Sequence, residues 1–282
     1  MAPDRSPIET LDEQNAQITS IRPTIAFNWP SRGYTRSMSA SVDALDDPET
    51  TSARRALLRQ SGYLHELYRC WYRLLIQQLP TVPGQVLELG SGGGFLNDCI
   101  PDLRTSDVML IPGVELVIDA RSLPFADASL RAIVGTNVLH HVPEINRFFA
   151  EAERKLAPGG RLVFIEPWPT TLSRPVYRFL HHEPFDQKRD WSIPAGGPLT
   201  AANGALPWIV FERDRTEFEH RFPRLRVASI DTLMPFSYLL SGGIGRSWPL
   251  PARLFNVIER LERPFSCLGL FACIVVERRG DT

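Results

Sequence analysis

From Thr51 onward, apolar residues recur at three- and four-residue spacing. Leu57, Leu58, Leu64, Leu67, Tyr68, Trp71, Leu74, Leu75 and Leu79 share one face, and Pro80 ends the run. The spacing predicts one amphipathic helix lying against a core. Beyond it the apolar runs become short. QVLEL, TSDVML, VELVID, LRAIVG and RLVFIEP, between 85 and 167, have the length of strands buried on both faces. A glycine-rich turn with a helical FLNDCI follows the first of them. An amphipathic helix on Ile145, Phe148, Phe149, Ala152 and Leu156 precedes the fifth, and Pro158-Gly159-Gly160 turns the chain into it. Strands alternating with helices predict an α/β fold built on a doubly wound, mostly parallel sheet. LRVASIDTL at 225–233 and LFACIVVERR at 270–279 add a terminal antiparallel strand pair.

Flanking and inserted segments have weaker patterns. Residues 1–50 are polar with scattered proline and read as a flexible N-terminal arm, which leaves 51–282 as the main domain. Insertions around 168–220 and 234–266 read as an aromatic-rich cap, with Trp168, Tyr177, Phe179, Phe185, Trp191, Trp208, Phe236 and Tyr238 in or beside it. PFSYLLSGGIG at 235–245 reads as a lid hinge or a loop, and the amphipathic 251–262 segment as a helix packed on the sheet. With 43% hydrophobic residues, 22% charged residues and a net charge of -1, the chain suits a globular protein and has no basic block for nucleic acid. The acidic, proline-containing start lacks the pattern of a signal peptide, and the apolar run at 268–276 is too short to span a bilayer. Cys70, Cys99, Cys267 and Cys273 lack CxxC spacing and lie in apolar segments, as buried free thiols of a reducing cytoplasm would. Peripheral membrane contact and oligomeric state stay open.

VLELGSGGGFLNDC at 86–99 carries the chemistry. A P-loop needs lysine and a hydroxyl residue where Phe95, Leu96 and Asn97 stand, and a dinucleotide turn needs glycine at Phe95 or Asn97. What remains is an acid followed by alternate glycines: Glu88, Gly90, Gly92 and Gly94. Here the chain resembles the class I S-adenosylmethionine-dependent methyltransferases, in particular small-molecule enzymes related to the ubiquinone/menaquinone methyltransferases. DARSLPFADASLRAIVGTNVLHHV at 119–142 and AERKLAPGGRLVFIEP at 152–167 resemble the family's later blocks, so the likeness covers about 84–167. It implies a Rossmann-like fold and S-adenosylmethionine as cofactor. By that resemblance Glu88 supports the loop and the methionine ammonium, and the backbone of Gly90, Ser91, Gly92 and Gly94 approaches the methionine and ribose. Asp107 matches the ribose acid, although the short span to Asp119 reduces the intervening helix to a loop around Ile111-Pro112-Gly113. Asp119 with Ala120 matches the adenine contact, Leu123 the ring face, and Asn137 the methionyl end.

The implied reaction is methyl transfer to oxygen, nitrogen or carbon of a small or lipid-like acceptor. A hydroxyl acceptor would use a base, for which His141, after the fourth strand, and His182, in the insertion, are the candidates. Packing or capping is the competing role for the His140-His141 pair. HHEPFD at 181–186 has a compact donor set without periodic support, and no metal is expected from it. A nicotinamide-dependent oxidoreductase and a non-catalytic protein retaining the fold are the rival readings.

Overall fold

The strands form one sheet of seven, in the order β3-β2-β1-β4-β5-β7-β6. They are β1 (Gln85–Glu88), β2 (Leu103–Asp107), β3 (Leu116–Val117), β4 (Leu130–Thr136), β5 (Leu156–Pro167), β6 (Leu225–Leu233) and β7 (Phe271–Arg278). β1 to β5 pair in parallel, and β7 runs antiparallel to both β5 and β6. The computed structural model describes residues 46–181, 183–243 and 250–280, which lie in one compact unit. The α/β expectation and its terminal antiparallel pair therefore hold. No helix among the described residues is long and apolar enough to cross a membrane.

Alternation along the central strands sorts the core into two layers. Leu87, Ile133, Leu162, Phe164 and Ile274 point to one face, and Val86, Val134, Val163, Ile165 and Val275 to the other. The first face is covered by α3 (Ile145–Lys155), whose Phe148 and Phe149 are fully buried. The second is covered from the N-terminal side. The single helix predicted from Thr51 to Leu79 is two, α1 (Pro48–Gln60) and α2 (Gly62–Gln77). Ser61 leaves helical geometry at φ -81, ψ 105, and its hydroxyl accepts from the Leu64 amide at 3.3 Å, so it ends one helix and caps the next.

α2 also explains why the helix expected at FLNDCI shrinks to one 3-10 turn, Leu96–Asp98. Its buried Tyr63, Leu64, Leu67, Tyr68, Trp71, Tyr72 and Leu75 already occupy the face that a crossover helix would protect. Phe95 is drawn under it, with its ring 4.9 Å from that of Tyr72. The β2–β3 and β3–β4 links carry no helix, as the short span around Ile111-Pro112-Gly113 requires.

The downstream insertions form α4 (Ser173–Phe179), α5 (Leu206–Trp208) running into a π-helical turn at Ile209–Arg213, α6 (Arg215–Arg221), α7 (Ser237–Ser241) and α8 (Ala252–Glu262). α8 packs on α2 and α7, with the Phe255 and Tyr63 rings 5.5 Å apart. Within the segment read as a lid hinge or a loop, Ser237–Ser241 form α7, where the Phe236 and Ser237 amides donate to the buried Glu262 carboxylate, and residues 244–249 lie outside the described set. Trp168 and Tyr177 are buried as cap aromatics should be, but Phe179, at the end of short α4, is 71% exposed. Of the four free cysteines only Cys70 and Cys273 are buried; Cys99 and Cys267 lie at 3-10 turns on the surface.

Phe149 joins α3 to the cap, with its ring within 5.6 Å of those of Phe148, Phe211, Phe218 and Phe222. Phe149→Ala should lower stability by about 3–5 kcal/mol in urea unfolding. A loss under about 1 kcal/mol would mean that the cluster closes around the gap.

Candidate functional site

Two groups of polar side chains gather at the carboxyl ends of the parallel strands, where open α/β sheets bind ligands. The first is built on the glycine turn. Glu88 closes β1 with 4% of its surface exposed. The Ser91 hydroxyl donates to Glu88 Oε2 at 2.6 Å and accepts from the Ser106 amide at 3.1 Å, which stitches the turn to β2. Burial pushes the Glu88 carboxyl up to about 7, against the smaller opposing effects of Ser91 and Arg55. Asp107 closes β2 and holds the turn from the other side, accepting from the Gly92 amide at 3.1 Å and the Met109 amide at 3.0 Å.

Two of the glycines are fixed by close approach as well as by any ligand. Gly90 has φ 64, and a Cβ there would lie 2.8 Å from Val138 Cγ2. One on Gly94 would lie 2.7 Å from the Tyr72 hydroxyl, which accepts from the Phe95 amide at 3.1 Å.

Glu88, Ser91 and Gly94 line a pocket of about 200 Å³ together with Asn97, Thr105, Gly113, Arg55 and Arg59. A larger cleft of about 530 Å³, around Gln85, Arg104 and Arg131, lies at the amino ends of the strands, away from these loops. The two arginines and Tyr72 were not singled out by sequence reasoning. Arg55 reaches from α1 to donate to the carbonyls of Gly92 and Pro112, laying the helix over the turn. Its local sequence shows only an amphipathic stripe.

The remaining predicted cofactor residues are not part of this pocket's lining. Asp119 follows β3, whose pairing with β2 sets Val117 beside Asp107. The Arg121 guanidinium donates to it at 2.6 Å and holds its carboxyl below the usual carboxylate range. Ala120 packs against the core, and Leu123 is buried in it with its amide donating to Glu151 at 2.9 Å. Asn137 follows β4 with φ 53, and its amide donates to the Ile165 carbonyl at 2.9 Å.

The second group centres on His140 and His141, in the 3-10 turn Leu139–His141 after β4. The buried Glu166 of β5 accepts from the Val138 and Leu139 amides at 2.8 Å each and meets His140 Nδ1 at 2.6 Å. His140 Nε2 lies 3.3 Å from Glu183 Oε2, and His141 Nε2 lies 3.8 Å from Glu183 Oε1. His141 Nδ1 faces the Ala201 carbonyl at 3.1 Å. Burial disfavours the His140 cation, but the two carboxylates outweigh it and push the ring up to about 10. Burial and the His140 charge push His141 down to about 4. Glu183 is held well below its ordinary range, the histidines outweighing the effect of its burial.

This arrangement differs from the donor set considered in HHEPFD. Glu183 meets His140 and His141, whereas His181 Nδ1 accepts from the Glu183 amide at 3.2 Å, and the Asn203 side-chain amide accepts from the Asp186 backbone N–H and donates to the Asp186 carbonyl. His182, a base candidate, lies outside the described residues. Glu166 was missed, although an acid inside the apolar run RLVFIEP was a readable signal of a buried, partnered carboxylate.

Residues 87–164 match the family described as a methyltransferase domain. A demethylmenaquinone methyltransferase of Renibacterium salmoninarum is 33% identical over 113 residues, 35% of this chain and 48% of that one. A phthiotriol/phenolphthiotriol dimycocerosates methyltransferase of Mycobacterium ulcerans is 38% identical over 61 residues, 21% of this chain and 22% of that one. The chain thus spans about half the length, or less, of these curated relatives. A geranyl diphosphate C-methyltransferase structure from Streptomyces coelicolor aligns over 85% of this chain and 88% of that one, with 15% identity and a TM-score of 0.45. The resemblance drawn from the glycine turn and the two later blocks is borne out by the family match.

Glu88 gives the site a pH signature. The unfolded chain releases this proton near pH 4.5, whereas the folded chain holds it to about 7. Stability therefore falls as pH rises through that window and is level above it, a loss on the order of 3 kcal/mol. Glu88→Gln keeps an acceptor for Ser91 and removes the slope. Urea unfolding between pH 4 and 8 should show the variant gaining on the wild type across the window; parallel profiles would refute the burial effect.

Proposed function

We propose that the chain binds S-adenosylmethionine at the carboxyl ends of β1 and β2 and transfers its methyl group to a small, lipid-like acceptor. The observation that carries this reading is Glu88, a buried carboxyl beside a pocket, pushed up to about 7 by its burial in spite of Arg55. A ligand ammonium would return it to the ionised form, beside the Ser91 and Gly94 turn that lines the same pocket. Asp107 would serve the ribose, with Asp119 and Asn137 near the adenine and methionyl ends. The pocket is smaller than the roughly 300 Å³ at which small-molecule sites begin. On this reading, binding displaces Arg55 from the Gly92 and Pro112 carbonyls and lifts α1 from the turn.

The cofactor supplies a methyl group activated on a sulfonium. The chain's part is to hold an acceptor in line and exclude water, a task that proximity and desolvation can accomplish without an obligatory base. Trp168, Tyr177, Phe185 and Tyr238 give the cap an apolar interior suited to a lipid-like acceptor, and Tyr177 and Phe185 stack at 4.5 Å. The names of the relatives, which concern demethylmenaquinone and phthiotriol dimycocerosates, support the same class. The functional unit on this reading runs from 51 to 282 with its cap insertions, as a cytoplasmic protein without a nucleic-acid partner.

Calorimetric titration of the full chain should show binding of S-adenosylmethionine and S-adenosylhomocysteine but not NAD; preference for NAD would overturn the proposal. Asp119→Ala should weaken cofactor binding about tenfold, some 1.4 kcal/mol, without lowering the melting temperature. Label from methyl-labelled cofactor should pass to an apolar fraction of a cell extract, and labelling of protein or nucleic acid alone would refute the acceptor class.

A further inference from the structure

Among the described residues, His140, His141 and Glu183 place one donor atom each within 4.8 Å of one another. Their outer contacts are those of a built site. His140 Nδ1 is fixed by Glu166 Oε2 at 2.6 Å, and His141 Nδ1 by the Ala201 carbonyl at 3.1 Å. Metal-ligating histidines are oriented in this way, with the second ring nitrogen donating to a carboxylate or a backbone carbonyl.

Tautomer chemistry sharpens the point. A carbonyl can only accept, so the proton of neutral His141 sits on Nδ1 and its Nε2 carries a lone pair. That lone pair faces Glu183 Oε1, another acceptor, across 3.8 Å in a largely buried site. A cation placed between these two atoms would be ligated by both. His140 Nε2 lies 3.3 Å from the other carboxylate oxygen. The 3.3 Å between His140 Nε2 and Glu183 Oε2 matches the roughly 3.3 Å edge of a tetrahedron with bonds of about 2.0–2.1 Å.

We infer that His140 Nε2, His141 Nε2 and Glu183 form a binding site for a divalent transition ion of the Zn²⁺ class, with a fourth position left for water or another oxygen ligand. The histidines hold the ion through unprotonated Nε2 atoms, so affinity falls as the pH is lowered. His141 then uses for the metal the lone pair that a general base would use. The site stands independently of the proposed cofactor.

The test titrates the full chain with ZnCl₂ in buffers of different ionisation enthalpy. A Cys99→Ser/Cys267→Ser background keeps the exposed thiols from supplying ligands. One ion per chain, bound with proton release, is expected. Affinity should fall more than about 100-fold in His141→Gln and in Glu183→Gln, and about 10–100-fold in Glu166→Gln, with the exposed His220→Gln unchanged. Co²⁺ should give the intense visible bands of tetrahedral coordination in the parent protein, a readout that holds even if a variant fails to fold. Absence of stoichiometric binding, of those bands, or of any loss in folded His141→Gln and Glu183→Gln would overturn the inference. Cofactor binding, measured separately, reports on methyl transfer alone.

Discussion

The carboxyl edge of the sheet is organised around one buried carboxylate, that of Glu166. It is fully inaccessible and accepts the Val138 and Leu139 amides on one oxygen while meeting His140 on the other. A charge so buried persists only if it is fully hydrogen-bonded, so the turn after β4 must close around it. That closure places Val138 against Gly90 and Gly135, where a Cβ would come within 2.8 and 2.6 Å of its methyl groups. The glycine turn after β1 and the histidines after β4 are thus held by the same anchor. Removing it would free the turn after β4 and its histidines, while Ser91 and Asp107 still tie the glycine turn to β2.

The N-terminal helices provide the second constraint. Short links between β1, β2, β3 and β4 leave one face of the sheet without its own crossover helices, and apolar strands cannot face water. α2 fills that gap with a line of tyrosine, leucine and tryptophan side chains. Its position carries α1 onto the glycine turn, where Arg55 reaches two backbone carbonyls. A covering forced by packing therefore becomes a covering of the pocket. Fold economy and access to the site are linked through the break at Ser61.

Much of this was legible in the sequence, for identifiable reasons. Strand runs announce themselves because residues buried on both faces must be apolar, and Glu88, Gly90, Gly92 and Gly94 stand out because a close backbone turn allows few alternatives. The break at Ser61 was hidden by an apolar stripe that continues through it, the two helices presenting the same face to the core. The loss of the helix after β1 was also unreadable locally, since α2 removes the need for it from some twenty residues away. Arg55 and Arg59 enter the pocket, and Tyr72 supports its turn, by tertiary packing alone. His140, His141 and Glu183 were each visible, but their meeting depends on how the cap folds back over β4, and no short-range spacing encodes that.

Glu88 and Glu183 show how neighbours, rather than burial, decide what a carboxylate can do. Both are largely withdrawn from water, yet one is pushed up to about 7 and the other is held well below its ordinary range. The difference is cationic. Glu183 lies against two histidines, whereas Arg55, the cation that acts on Glu88, spends its hydrogen bonds on backbone carbonyls instead. At the first site burial outweighs the pull of Arg55. A ligand that brings an ammonium to Glu88 gains the free energy of ionising it, and this is why the glycine turn, rather than the histidine cluster, is the place to seek an amino-acid-bearing cofactor.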